Sequence, residues 1–513
     1  VKLQNPKILL KENNINLLKL HLFLSIKSFY NQNFILEKAA IGFEKNDIKD
    51  LTKITNIFLP QFINKQLQKV FAKGNLEGNF NIPFSSDGKV GKNYTFSGQI
   101  IGADILLSKD YEIKNLNASI GYQKSDEVEK DGLKIIINKG MLLNLELLKS
   151  FIDIKFKNNN KLINASIHTK GNLNFLQIKK ISSLLQKKVN YFSNIDLTSD
   201  LTTNIEFQID KNLRFTNKKY SIKGNIDKLL ISIDDKKIIK KFMPSFNHKI
   251  DFKNTKIDFS APKGLSGDQV LNLDGNINLS DKFETIKLKQ IYNNGNKKYT
   301  INGSSSLTSS SLNIPSLNYI KKVGSSANLT FNTNFIFDNF LLLENITYEE
   351  NKSKINLKNI KLNKNLELDD FELLSVKTYS NNIENNNYKI ERKKNELVIS
   401  GKVFDAQPLF KTLYNKNEKK TFSKKFNSEV KVNFKKTITG TNDNILNLSM
   451  IATIRKGSYD KLSLKGNFSK KEIIEMTIYQ VNNDTKTLHV ISDRARPFIK
   501  HFDFIKGFEG GKL

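Results

Sequence analysis

The 513-residue chain has no cysteine and no tryptophan, and only eight prolines and five histidines. Without cysteine there is no disulfide framework and no thiolate metal site, and the redox compartment is left open. The prolines, at 6, 60, 83, 244, 262, 315, 408 and 497, are too thinly spread to form a linker. The serine stretch Ser304 to Ser311 is the best linker pattern, but it is short and leads straight into Leu312 and Ile314, so continuity is expected over separate globules. The apolar run Leu20 to Ile26 is broken by His21 and Ser25 and falls far short of the roughly 20 residues of a membrane helix. The chain begins at Val1 with no signal-peptide pattern, which reads either as a soluble protein or as part of a longer chain whose anchor lies elsewhere.

Patterns that carry chemistry are missing too. His21, His168, His248, His489 and His501 are far apart and none has metal-ligand spacing; His168 and His489 sit in strand-like runs as ordinary edge or surface residues. There is no GxxxxGK[ST] phosphate loop and no GxSxG elbow. The pairs Asp234-Asp235 and Asp369-Asp370 are of the kind solvated in turns. No enzyme activity, metal or cofactor is expected.

Acidic residues are also few, 51 against 82 basic ones, giving a net charge of +31. The lysines are scattered among asparagine and isoleucine as in the product of an AT-rich genome, without an arginine-rich stripe. The charge therefore predicts general attraction to anionic surfaces and no nucleic-acid partner.

What the chain has in abundance is alternation. Ile205, Phe207 and Ile209 face one way, and Leu271, Leu273, Ile277 and Leu279 repeat the pattern. So do Phe331, Phe335 and Phe337, then Leu446, Leu448, Met450, Ala452 and Ile454. A period of two with one apolar side is the signature of half-buried strands, and an apolar fraction of 38% suits sheets with one apolar face. From Ile355 and Leu357 the set slips to Ile360 and Leu362, which predicts a bulge or tight turn at Lys358-Asn359. Asn294-Gly295 and Asn381 to Asn387 read as turns or loops.

Within these runs the phrase apolar-x-Gly-x-apolar recurs at Gly98, Gly224 (between Ile222 and Ile226), Gly275, Gly401 and Gly466, with glycine always on the apolar side. Glycine there packs nothing and loses backbone entropy, so its repetition predicts a bent sheet whose crowded concave face needs small residues. Uneven spacing argues against a solenoid, and scattered tyrosine without tryptophan argues against a membrane barrel.

Helical period is confined to short pieces: after Asp47 (Ile48, Leu51, Ile54, Phe58), after Pro60 (Ile63, Leu67, Val70, Phe71), at Ile178, Ile181 and Leu185, after Asp405 (Leu409, Leu413) and after Asp493 (Phe498, Phe502). The expected fold is mainly β: a long, twisted antiparallel sheet bent into an elongated apolar-lined groove, with a few short amphipathic helices. Three segments are expected, 1–190 with helices near 48–71 and 173–186, a central 191–395, and 396–513.

The stretch SDRARPFIKHFDFIKGFEGGKL, Ser492 to Leu513, resembles the C-terminal signature of the bacterial AsmA family in its YhdP-like branch of large envelope proteins. Ser492, Asp493, Ala495, Phe498, Ile499, Phe502, Gly510, Gly511 and Leu513 match in register. ISGKVFDAQPLFKTL, with Asp405, resembles the family's strand-Gly-strand-Asp element, and Asp50 to Gly78 is similar to a further element with a Leu-Pro-bearing helix. Arg494 and Arg496 depart from the pattern, which often has Asp and Gly there, so the turn into the last helix is expected to differ.

The resemblance implies a periplasmic β-groove, anchored in the inner membrane by a segment not in this chain, that supports phospholipid transport toward the outer membrane. Acyl chains would be the cargo, and outer-membrane or periplasmic proteins the partners. The alternatives are a structural or adhesive envelope scaffold of dry β-sandwiches and a basic polyanion binder.

Overall fold

The computed structural model describes residues 2–4, 6–10, 13–30, 34–54, 69–108, 111–125, 131–157, 160–184, 194–212, 214–232, 240, 242–246, 248–336, 339–364, 368–409, 427–481, 485–499 and 511–512. The fold is mainly β, open and not closed into a barrel, with a few short helices. The chain divides into two compact units: Val1–Asp234, Ile250–Gly275 and Asn293–Gly295 form one, and Asp235–Lys249, Asn276–Tyr292 and Asn296–Leu513 the other. Neither expected segment boundary, near 190 or near 395, coincides with this division.

In the first unit the strands are β1 (Lys2–Gln4), β2 (Lys7–Leu10), β3 (Asn13–Leu24), β4 (Leu36–Asp47), β5 (Phe71–Pro83), β6 (Thr95–Ser108) and β7 (Tyr111–Gln123). They continue as β8 (Gly132–Leu142), β9 (Leu145–Lys157), β10 (Asn160–Leu173), β11 (Asn194–Ile209) and β12 (Phe215–Ser232), followed by β13 (Lys249–Ala261) and β14 (Gln269–Asn278), which reaches the boundary between the units. From β3 to β12 each strand pairs antiparallel with the next. Both β1 and β2 pair with β3, so one edge is a strand interrupted at Pro6, which cannot donate to the ladder.

The second unit holds β15 (Phe283–Asn293), β16 (Lys298–Ser306), β17 (Leu312–Ile314), β18 (Tyr319–Lys321), β19 (Ala327–Ile336), β20 (Phe340–Glu350), β21 (Ser353–Asn363) and β22 (Leu368–Asp370). Then come β23 (Leu373–Ser380), β24 (Ile383–Lys393), β25 (Glu396–Asp405), β26 (Ser428–Ile438), β27 (Ile445–Arg455), β28 (Ser458–Asn467), β29 (Ile473–Gln480) and β30 (Lys486–Ser492). The order is again a meander from β16 to β30, except that β25 and β26 are parallel and β17–β18 form a separate small hairpin.

Of the caps read from the sequence, Asp47 acts as one, and a further cap at Asn174 comes from the structure. Asp47 accepts the Lys49 amide at 2.7 Å and starts the helix Ile48–Ile54. Asn174 and Gln177 exchange hydrogen bonds of 2.9 and 3.0 Å in a capping box at the head of helix Phe175–Leu184. Helix Arg496–Ile499 follows Asp493, although Asp493 itself accepts the Ile473 amide at 2.9 Å instead of capping it. Phe58, Ile63, Leu67, Leu185, Leu413 and Phe502 lie outside the described residues, and Phe71 opens β5 rather than ending a helix.

The Lys358-Asn359 bulge is present: Asn359 has φ 52°. In the neighbouring strand Glu344 falls in a register gap of the β19 ladder, between the pairs Asn332↔Asn345 and Thr333↔Leu343, while its carboxylate accepts from Asn334 Nδ2. The two irregularities lie side by side, so β20 and β21 keep one register and Leu357, Ile360 and Leu362 stay on the apolar side.

The serine stretch is packed, as the expected continuity requires: Ser309 and Ser310 are buried and the buried Lys321 donates to the carbonyls of Ser310, Lys322 and Thr308 at 2.7, 3.1 and 3.2 Å. One expectation is corrected. In Asn381 to Asn387 only the first two residues turn, with φ 49° and 64°; Asn385 and Asn386 are buried in β24.

The phrase glycines are places of close approach. A Cβ on Gly98 would stand 2.6 Å from Phe96 Cζ, on Gly275 2.5 Å from Thr255 Cα, on Gly401 2.5 Å from Tyr388 Cβ and on Gly466 2.6 Å from Ile445 Cγ2. Gly224 combines a Leu201 Cα at 2.9 Å with φ +151°, which side-chain-bearing residues rarely adopt. Gly401→Ala is therefore expected to destabilise by about 1–3 kcal/mol through overpacking. Gly121→Ala, whose Cβ meets nothing within 4 Å, should be neutral or stabilising by up to about 1 kcal/mol. Urea-unfolding midpoints of the two variants check this difference.

Candidate functional site

Strand register converts local alternation into files of side chains that cross each sheet. In the first unit one file runs Leu20, Ile41, Phe80, Phe96, Tyr122, Leu133, Ile154, Ile163, Phe207, one residue from each strand β3 to β11. Beside it runs Phe43, Gly78, Gly98, Ile120, Ile135, Ile152, Ala165, Ile205, Tyr220, from β4 to β12. The paired Gly78 and Gly98 leave room for the rings of Phe43 and Phe96 to stack at 6.0 Å over the backbone. Phe80, Tyr94, Tyr122 and Phe156 extend the aromatic row, each within 6.3 Å of the next. Burial holds the Tyr122 phenol above its ordinary range.

The second unit repeats the arrangement. Phe331, Ile346, Leu357, Leu374, Ile390, Ile399, Val432, Met450, Leu464, Met476 and Val490 stand opposite one another from β19 to β30. No polar residue interrupts this file.

The two units differ in how much of the apolar side is dry. In the first, helix Ile48–Ile54 closes one region, where Ile48, Ile100, Ala103 and Leu116 are buried, while most of the file from Leu20 to Phe207 is half-buried. In the second, Val376, Tyr388, Val430, Val432, Phe434, Leu448, Ala452, Phe468 and Ile474 form a closed core. Burial there pushes the Tyr388 phenol up to about 12.

The expected lining residues sort accordingly. Ile205, Phe207, Ile209, Ile222, Leu271 and Leu273 are half-buried in the first unit, and Ile226 is buried. In the second, Leu279, Phe331 and Phe335 are half-buried, and Ile277 and Leu448 are buried. Phe335 stacks on Tyr299 at 5.0 Å. Phe337 lies outside the described residues. Leu446 does not join Leu448: Asn447 has φ 50° and the β27–β28 register shifts there, which turns Leu446 out to 39% exposure.

The family-motif positions are structural joints. Asp405, 2% exposed, accepts from Asn318 Nδ2 at 2.9 Å and from the Gln407 amide at 3.1 Å, and its own amide donates to Asn386 Oδ1. Asn386 in turn donates to Thr378 Oγ1 at 3.0 Å and to the Leu317 carbonyl at 2.8 Å. Sequence reading missed Asn386 because an asparagine-rich run signals a turn unless tertiary partners satisfy it in a strand. Near the C-terminus the buried Ala495 donates its amide to the Gly511 carbonyl at 2.9 Å, and Lys512 pairs with Asp493 at 2.9 Å. Gly510 is outside the described residues. The departing Arg494 bridges Glu472, at 2.6 Å, and Asp443.

Among the described residues no His/Asp/Glu group could hold a metal ion. His168 Nε2 meets Asp200 Oδ1 at 2.6 Å, and Ser150 is near, but its hydroxyl accepts the His168 backbone amide at 2.8 Å, so the ring and the serine form no proton relay. Some lysines on the polar side are matched by acids, as in Lys170–Asp200, Lys219–Glu206 and Lys223–Asp258.

Comparison with protein-family models, curated proteins and solved structures returns no match for this chain. The likeness of Ser492 to Leu513 to the AsmA signature therefore rests on those residues alone.

The His168 hydrogen bond and Lys170 hold Asp200 below its ordinary value of 3.8. A depressed carboxylate contributes stability that is present above the unfolded pKa and lost as pH falls through the folded one. The stability difference between wild type and Asp200→Asn is thus expected to shrink as pH falls below about 4, as read by denaturant unfolding at stepped pH.

Proposed function

We propose that this chain is a non-enzymatic envelope protein that carries phospholipid acyl chains on the apolar side of its sheets, in support of lipid movement between inner and outer membranes. The reading includes a periplasmic location and membership of the AsmA family. The observation that carries it is the pair of unbroken, register-matched apolar files. A file of half-buried Leu, Ile and Phe, one per strand, offers equivalent apolar contacts every ~4.8 Å. An acyl chain moving along it exchanges each contact for a similar one, so the gain of about 0.8 kcal/mol per buried methylene is maintained without a deep well. Polar headgroups remain in water, and no bond is made or broken.

The dry core around Val432 and Phe434 favours the scaffold reading for that region of the second unit. Charge placed in the two environments separates the readings. Phe207→Asp, on the half-buried file, is expected to leave the fold intact and to abolish co-purifying lipid seen by native mass spectrometry. Val432→Asp, 6% exposed in wild type, buries an unpaired charge and should destabilise by about 3–5 kcal/mol. Wild-type protein purified from cells without any bound lipid would sink the transport reading.

A further inference from the structure

We propose that Ile26, Tyr30 and Phe34, described residues between β3 and β4, dock the protein on an anionic phospholipid bilayer by inserting at its interface. Elsewhere in the first unit the large apolar residues are mostly turned to the apolar side of the sheet, but these three are 74%, 82% and 72% exposed within nine residues of sequence. Among the described residues Ile383, Leu176 and Ile320 come next, at 70%, 68% and 67%, and they lie in three separate parts of the chain, whereas Ile26, Tyr30 and Phe34 share one loop.

The loop is built to hold that presentation. Ser25, itself buried, donates its amide to the Ile35 carbonyl at 2.9 Å and accepts the Ser28 amide at 2.9 Å. Ser28 Oγ donates to the Ile35 carbonyl at 3.1 Å and accepts the Ile35 amide at 2.8 Å. Polar groups thus close the helical turn Lys27–Tyr30 onto the returning strand while apolar side chains point to solvent, the reverse of a loop shaped by water.

The surroundings match a lipid surface. The hairpin between β5 and β6 stands alongside, joined by Phe84 donating its amide to the Glu37 carbonyl at 2.8 Å, and adds Val90 at 54% exposure. Lys27, Lys89 and Lys92 on these two loops and Lys38 at the start of β4 are exposed, against the acids Glu37 and Asp87, the latter paired with Lys89 at 2.9 Å. Lys38 Nζ lies 5.7 Å over the ring of Phe23, which is itself 47% exposed. Aliphatic and tyrosine side chains between lysines are the composition that seats at the headgroup boundary, with ammonium groups reaching the phosphates. The loops carry a surplus of positive charge, which fits an anionic bilayer.

Docking does not depend on cargo. If the transport reading also holds, the aromatic row at Tyr94 and Phe96 starts a few residues from this rim, and acyl chains leaving the bilayer would meet it first.

Co-sedimentation of the full chain with protein-free vesicles tests the proposal, using phosphatidylethanolamine with phosphatidylglycerol at about three to one, and phosphatidylcholine alone. Ile26→Ser/Tyr30→Ser/Phe34→Ser is expected to lower partition to the anionic vesicles at least about tenfold with an unchanged melting curve, because the replaced side chains are exposed. Lys27→Gln/Lys38→Gln should cut the preference for anionic vesicles about fivefold or more, and Ile383→Ser should change nothing. Wild type that stays off anionic vesicles, or a triple variant that partitions like wild type, overturns docking; so does binding seen only with native membranes that still contain proteins. Co-purified lipid is scored separately: the triple variant should keep it, and its absence from wild type would count against transport alone.

Discussion

Register is the constraint on which this structure depends. In a strand the side-chain period is two, so a slip of one residue between neighbours would bring a lysine or asparagine into the apolar file. Keeping apolar opposite apolar from Leu20 to Phe207, and from Phe331 to Val490, requires every pairing in the meander to hold its phase. Where β20 gains a residue at Glu344, β21 gains one at Asn359, and the file passes through unbroken. The parallel β25–β26 pair keeps it as well, with Ile399 opposite Val432.

Glycine enters because such a side, once bent, crowds at particular crossings. Gly98 makes room for the Phe96 ring, and Gly401 admits the backbone of β24 at Tyr388. Small residues at these points let neighbouring strands and rings approach. The remaining large side chains fill two environments, a closed core in part of each unit and a half-buried track beside it.

Polar satisfaction is concentrated at the joints. Asp405, Asn386, Thr378 and Asn318 tie the end of β25 to β24 and to the segment before β18, where the main chain leaves the regular ladder. Arg494 does comparable work near the C-terminus by joining Glu472 and Asp443. The many exposed Lys–carboxylate pairs on the polar side are screened by solvent and add little stability, but they keep that side wetted and leave the apolar side of the sheet for packing.

The strand content, the apolar side of Ile205 and Phe207, the Asn359 bulge and the cap at Asp47 were legible in the sequence because each depends on residues close in the chain. Leu446 was misread because one left-handed residue, Asn447, reverses the alternation, and Asn385 and Asn386 because their partners come from sixty-odd residues away. Periodicity determined which side of each strand is apolar. Only the tertiary structure decided which parts of that side are closed, as at Val432, and which stay half-open, as at Phe207, and that Ile26, Tyr30 and Phe34 face solvent. Alternation is a property of the local backbone, whereas coverage depends on which distant segments come to lie over it.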